Sequence, residues 1–99
     1  MVYVVQSSAG KDLSAAAKFG KILYLLDGPD EDFTPHEMVS VISKKLIRFN
    51  NDDFLLPLGN PVAIGIATAI AAEENDGCVR FLKWDRRSRL YLVVDTTIY

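Results

Sequence analysis

"PLGNPVAIGIATAIAAEEN", residues 57–75, is the stretch whose reading decides the fold. Pro57 has no N–H to give to a strand ladder, so the strand that precedes it stops close by. Asn60 is a strong helix cap and Pro61 suits the first helical turn, so a helix opens at 61. It closes at "NDG", 75–77, where Asn and Gly accept the backbone angles that end helices. A strand that turns at once into a helix is a βα unit. The question is whether the "GNP" turn cradles a ligand's phosphate or only starts a buried helix.

Working outward from this unit, "DFLLPL", 53–58, is the strand that feeds it. Upstream, "TPHE", 34–37, marks another helix start: Thr34 caps, Pro35 takes the first position and Glu37 reaches back to the cap. In that helix Met38, Val39, Ile42, Leu46 and Phe49 fall within about 100° of arc. Lys44, Lys45 and Arg48 complement its dipole near the end. "KILYLL", 21–26, is a continuous apolar run, as in a strand covered on both faces. "VYVV", 2–5, is a β-branched and aromatic first strand. Between these two, Asp12 caps a short helix over 13–19 with Gly20 ending it. Downstream, "CVRFLKW", 78–84, and "RLYLVVD", 89–95, are joined by "DRRS", short enough for an antiparallel hairpin.

The order β-α-β-α-β-α-β-β predicts a three-layer α/β fold. A mainly parallel five-stranded sheet carries helices on both faces and closes with a C-terminal antiparallel hairpin. Residues 1–99 read as a single domain, without repeat, linker or low-complexity tract.

Composition narrows the function classes. A chain of 99 residues buries roughly 60–65% of its unfolded surface. Yet 49% of its residues are hydrophobic, which points to apolar surface shared with another chain. The net charge of −2 supplies no general drive toward nucleic acid or acidic membranes. Cys78 is the single cysteine, so no internal disulfide forms, and a reducing cytoplasm is the expected setting. No signal-like start precedes the first strand, and the longest uncharged apolar run, Val62 to Ala72, is about half of the roughly 20 residues that span a bilayer. A soluble cytoplasmic protein without membrane contact is expected.

Three places invite a ligand or partner. The loops leaving the strand carboxyl ends, "QSSAGK", "DGPDEDF" and "GNP", lie where open α/β sheets gather ligands, and helix starts favour anions. Ser7, Ser8, Gly10, Lys11, Gly59 and Asn60 are the candidate contacts. "SSAGK" fails as a Walker loop, since Val5 stands where its first glycine belongs and Asp12 where Ser or Thr should follow the lysine. GxGxxG is absent.

The helix over 61–74 is apolar all round. Val62, Ile66 and Ile70 form a stripe able to face the sheet. Ile64, Ala67 and Ala71 lie opposite, with Gly65, Thr68 and Ala72 as a small-residue stripe between. A surface helix shows water a charged face, and this one shows none before Glu73. Either it is the central, doubly buried helix of its own domain or another chain packs on it; the favoured cover is a second copy on Ile64, Gly65, Ala67, Thr68, Ala71 and Ala72, making a homo-oligomer.

"RFLKWDRRSRLY", 80–91, sets Arg80, Lys83, Arg86, Arg87 and Arg89 among Phe81, Trp84 and Tyr91. Basic groups between aromatics suit a nucleic-acid backbone and its bases, or an acidic protein. They also blunt an exposed edge hairpin. The acidic segment 27–37, with Asp27, Asp30, Glu31, Asp32 and Glu37, offers an opposite charge block for setting register in a symmetric assembly.

Chemistry is poorly provided for. His36, the one histidine, falls on the polar side of its helix with Ser40 and Ser43, so no Ser-His-Asp triad is expected. No His or Cys cluster offers a metal site, no cofactor is implied, and the carboxylate pairs Asp52–Asp53 and Glu73–Glu74 sit at helix ends, where solvation is expected. The reading leans against an enzyme.

"DDFLLPLGNPVAIGIATAIA" followed by "VRFLKWDRRSRLYLVV" resembles small uncharacterised α/β proteins encoded by tailed phages of marine cyanobacteria. The shared pattern is Asp52–Asp53, the strand Phe54–Leu58, the Gly59–Pro61 helix start, Trp84–Asp85 and Tyr91, within residues 52–95. The resemblance implies the cytoplasm of a phage-infected bacterium. It implies no reaction and assigns no functional residue.

Overall fold

Strand β1 (Val2–Gln6) has every residue buried, so it runs through the middle of the structure. The computed structural model describes residues 1–8, 10–28 and 33–99. On one side β1 pairs in parallel with β2 (Ile22–Leu26), Val4 opposite Tyr24. On the other it pairs in parallel with β3 (Phe54–Leu56), Val4 opposite Leu56. Strand β4 (Cys78–Asp85) continues in parallel beside β3, and β5 (Leu90–Thr97) returns antiparallel on β4. The five-stranded sheet has the order β2-β1-β3-β4-β5, an α/β architecture with the expected antiparallel closing hairpin.

Connection handedness distributes the covering elements. From β1 the chain steps one way to β2, then crosses back to β3 and on to β4. Right-handed crossovers put the two later connections on one face and the first on the other. Helices α1 (Pro35–Lys45) and α2 (Pro61–Glu74) accordingly pack together over one face. Met38, Ile42 and Leu46 meet Tyr3, Val5, Leu55 and Val79 there. Each fully buried leucine in that layer contributes about 1.5–3 kcal/mol by leaving water.

The second face carries less than expected. Asp12 Oδ1 accepts the Ser14 N–H at 2.9 Å, but only turns and a 3₁₀ segment, Ala17–Phe19, follow in place of a helix over 13–19. Seven residues give too few hydrogen bonds to offset helix nucleation. Leu13, Ala16 and Phe19 still cover Val2, Val4, Phe54 and Leu56. This thin layer stops over β4, and β5 is exposed along most of its length.

The cap signals hold with one change. Thr34 Oγ1 accepts the Glu37 N–H at 3.1 Å, while the Glu37 carboxylate accepts a hydrogen bond from the Thr34 hydroxyl in place of the cap N–H. Helix α1 stops at Lys45, where Lys45 Nζ donates to Tyr24 O of β2 at 3.0 Å. Val39, placed on the apolar arc by spacing, is exposed.

Candidate functional site

The chain leaves β1 and β3 in opposite directions, so the gap between their carboxyl ends is where such sheets admit a ligand. Here Gln6 fills it. Its side chain is buried, with Nε2 donating to Gly28 O at 3.1 Å and Oε1 accepting the Asn60 N–H at 2.8 Å. Gly59, at φ 110°, lets the loop lie against this side chain, and a Cβ there would come 2.5 Å from Gln6 Cβ. Asn60 Oδ1 takes the Val62 N–H at 2.7 Å, and Pro61 has none to offer. Of the donors at the "GNP" turn, the Asn60 and Val62 N–H groups are thus held within the chain. Sequence reasoning passed over Gln6; the signal was a lone amide ending an otherwise apolar strand.

Ser7, Ser8, Gly10 and Lys11 are exposed, and the Ser7 N–H is held by Leu26 O at 3.2 Å. Of the six expected ligand contacts, only Lys11 borders the groove of about 480 Å³ that lies on the face away from the helices. Leu56, Leu58 and Leu82 make its apolar walls, Trp84 and Tyr91 its aromatic end. Asp12 lies on the rim, and its hydrogen bonds from Ser14 hold its carboxyl below the usual range. Tyr91 is pushed upward, first by burial and then by the Asp12 charge. Gly59 and Asn60 belong to the Gln6 cluster instead.

The hairpin residues divide by role. Arg80 is committed within the chain: Nε binds Asp95 at 2.8 Å, Nη1 donates to Asn51 O at 3.1 Å, and the guanidinium lies 4.7 Å from the Phe54 ring centre. Trp84 stands edge-on to Tyr91, ring centres 5.0 Å apart, and is 44% exposed. Lys83 and Trp84 are successive strand residues whose side chains alternate to opposite faces, and both residues border the groove. The tip is shaped by Asp85, which accepts the Ser88 hydroxyl at 2.6 Å and the Ser88 N–H at 3.1 Å. Those bonds lower its pKa. Arg86, Arg87 and Arg89 project from the tip, and among the described residues none of the ion pairs uses them or Lys83.

The six residues expected at an oligomer interface do not share a surface. Ala67, Ala71 and Ala72 are buried in the chain's own helix-side core, Ile64 and Thr68 are half-buried, and only Gly65 is exposed. The stripe expected against the sheet lies at the flank of that core: Val62 is 56% exposed, and Ile66 and Ile70 are half-buried against it. Alanine explains the inversion. Its methyl group lets the helix lie close on the sheet, so the bulkier isoleucines are displaced to the flank. Ala67, Ala71 and Ala72 therefore cannot meet a second copy.

The titratable groups do not converge. His36 is exposed on the first turn of α1. Asp53, expected in solvent, is buried; it accepts the Asn50 N–H at 3.0 Å and lies 3.3 Å from the Met1 amino group. Tyr3 is raised by burial and then by the Asp53 charge. Among the described residues no three His, Cys, Asp or Glu side chains group as metal ligands. No described helix is long and apolar enough to cross a membrane. Asp30, Glu31 and Asp32 of the acidic block lie outside the described residues, while Asp27 stands 4.0 Å from Lys45 Nζ.

Residues 1–98 match the family model described as Phage Pam3 gp32-like protein, so the likeness extends well beyond the second half of the chain. The chain belongs to that family. No curated protein and no solved structure matches it.

Proposed function

We propose that this phage-family chain is a small non-enzymatic binding or assembly module that self-associates, with the β4–β5 hairpin as its working surface. The carrying observation is strand β5. It lies at the edge of the sheet, is eight residues long, and exposes apolar side chains on both faces. Leu90, Leu92 and Val94 share the helix-side face with Val79 and Phe81, while Val93 shares the other with Trp84. Edge strands are ordinarily blunted by proline, bulges or lysine, and "LYLVVDTT" holds none of these residues. Its one charge, Asp95, is already taken by Arg80.

Light scattering over a wide concentration range tests the reading. The mass should rise from that of the 11.0 kDa chain toward a multiple of it. A strict monomer at the highest concentration overturns it. The proposed setting is the cytoplasm of a phage-infected bacterium; the resemblance of 52–95 favours a cyanobacterial host.

A second reading, nucleic-acid association, is favoured by the exposed Trp84, backed by half-buried Tyr91, beside Arg86, Arg87 and Arg89. Trp84 is the sole tryptophan, so its fluorescence reports stacking directly. A single-stranded oligonucleotide should quench it in a salt-sensitive way. An Arg86→Ala/Arg87→Ala variant that binds as well as the parent removes this reading. The same cations suit an acidic protein partner.

A further inference from the structure

We infer that the partner seated on β5 is β5 of a second copy, paired antiparallel about a two-fold axis perpendicular to the sheet; this rests on the self-association proposed above and adds its geometry. The backbone is ready for such pairing. The Ile98 N–H donates to Gly77 O at 2.7 Å, continuing the β4–β5 register. Ladder bonds recur at every second residue of an antiparallel strand. Val94 and Thr96 therefore turn their peptide groups toward β4, and Tyr91, Val93 and Asp95 turn theirs to the open edge. A strand of eight residues offers about 27 Å of unpaired edge.

Two-fold pairing centred on Val93 sets Val93 against its own copy and Leu92 against Val94 of the second chain. Apolar thus meets apolar on both faces. Tyr91 falls opposite Asp95 of the second copy, and no like charges are brought together on the strand.

Charge placement supports the same arrangement. The tip of the hairpin carries Arg86, Arg87 and Arg89. The opposite end, where α2 runs into β4, carries Glu73, Glu74 and Asp76, all exposed. An antiparallel second copy reverses end for end, so each basic tip comes to the acidic foot of its neighbour. A parallel copy would set tip beside tip. Electrostatics thereby selects both the partner, this chain itself, and the direction of pairing. The product is a continuous ten-stranded sheet, twice the five of one chain, with both pairs of helices on one face.

The test is a Val93→Pro variant, with Val93→Lys beside it, compared with the parent by light scattering and circular dichroism. The Val93 N–H faces outward, so proline there removes an edge donor without costing the β4–β5 ladder a bond. Parent dimers with both variants monomeric and normally folded are the expected result. If the parent associates and the folded variants associate equally, edge pairing is overturned while self-association stands. A monomeric parent overturns both. A charge arm gives direction: Arg86→Glu/Arg87→Glu should weaken the dimer about tenfold at low salt. Adding Glu73→Lys/Glu74→Lys to the same chain should restore it, and failure to restore counts against the antiparallel arrangement.

Discussion

Strands β1 and β5 read alike as sequences and fare oppositely in the fold. "VYVVQ" and "LYLVVDTT" both string aliphatic residues around one tyrosine, yet β1 is buried throughout and β5 is largely exposed. The difference is position. β1 has a hydrogen-bonded neighbour on each side and covering layers on both faces, whereas β5 has one neighbour and reaches a covering cluster only through Tyr91. Similar apolar content therefore supplies core in one place and an unmet pairing surface in the other.

The comparison breaks first on cavity formation. Leu55, fully buried beside β1, should cost about 2–5 kcal/mol as Leu55→Ala. Leu92→Ala on β5, where the side chain is 47% exposed, should cost under about 1 kcal/mol in a monomer by urea denaturation. Equal costs would mean that β5 is already covered under the conditions of measurement. Such equality should disappear on dilution if a second copy does the covering.

A smaller effect is expected where β1 ends. Gly59→Ala forces a Cβ against Gln6 at a φ that favours glycine, and about 1–3 kcal/mol should be lost. Gln6→Leu should cost a similar amount, about 1–3 kcal/mol, because Gly28 O and the Asn60 N–H lose their partner. If each leaves thermal stability unchanged, the closed end of β1 is no more constrained than the open edge of β5.

The smallest effect concerns the tip that feeds β5. Asp85 has its pKa lowered by the Ser88 hydroxyl and N–H. Its contribution is therefore complete above the ordinary carboxylate value of about 3.9 and is lost as pH falls through the lower folded value. Ser88→Ala should move the Asp85 titration, followed by carboxyl NMR shifts, back toward the ordinary value. No movement would mean that the hydroxyl does not hold this turn.

Local chemistry made much of this legible. Thr34–Pro35 and Asn60–Pro61 marked both helix starts because caps act within a few residues. The face that α2 turns to the sheet was not legible. A helix apolar on every side carries no periodic signal to orient it, and the close approach allowed by alanine settled the matter. Gln6 was missed for a related reason, since its partners Gly28 and Asn60 lie 22 and 54 residues away. The short 13–19 helix was overestimated because a cap and a terminating glycine cannot make up for too few internal bonds.

From the sequence by itself came the alternation of strands and helices, the two capped helix starts, the closing hairpin and the absence of a Walker loop. Those depend on backbone preferences and on neighbours a few residues apart. The tertiary structure alone decided which apolar surfaces meet: it closed the mouth between β1 and β3 with Gln6, turned the alanines of α2 inward and left β5 at the edge. These outcomes turn on strand order and on how closely layers approach, which involve residues far apart along the chain.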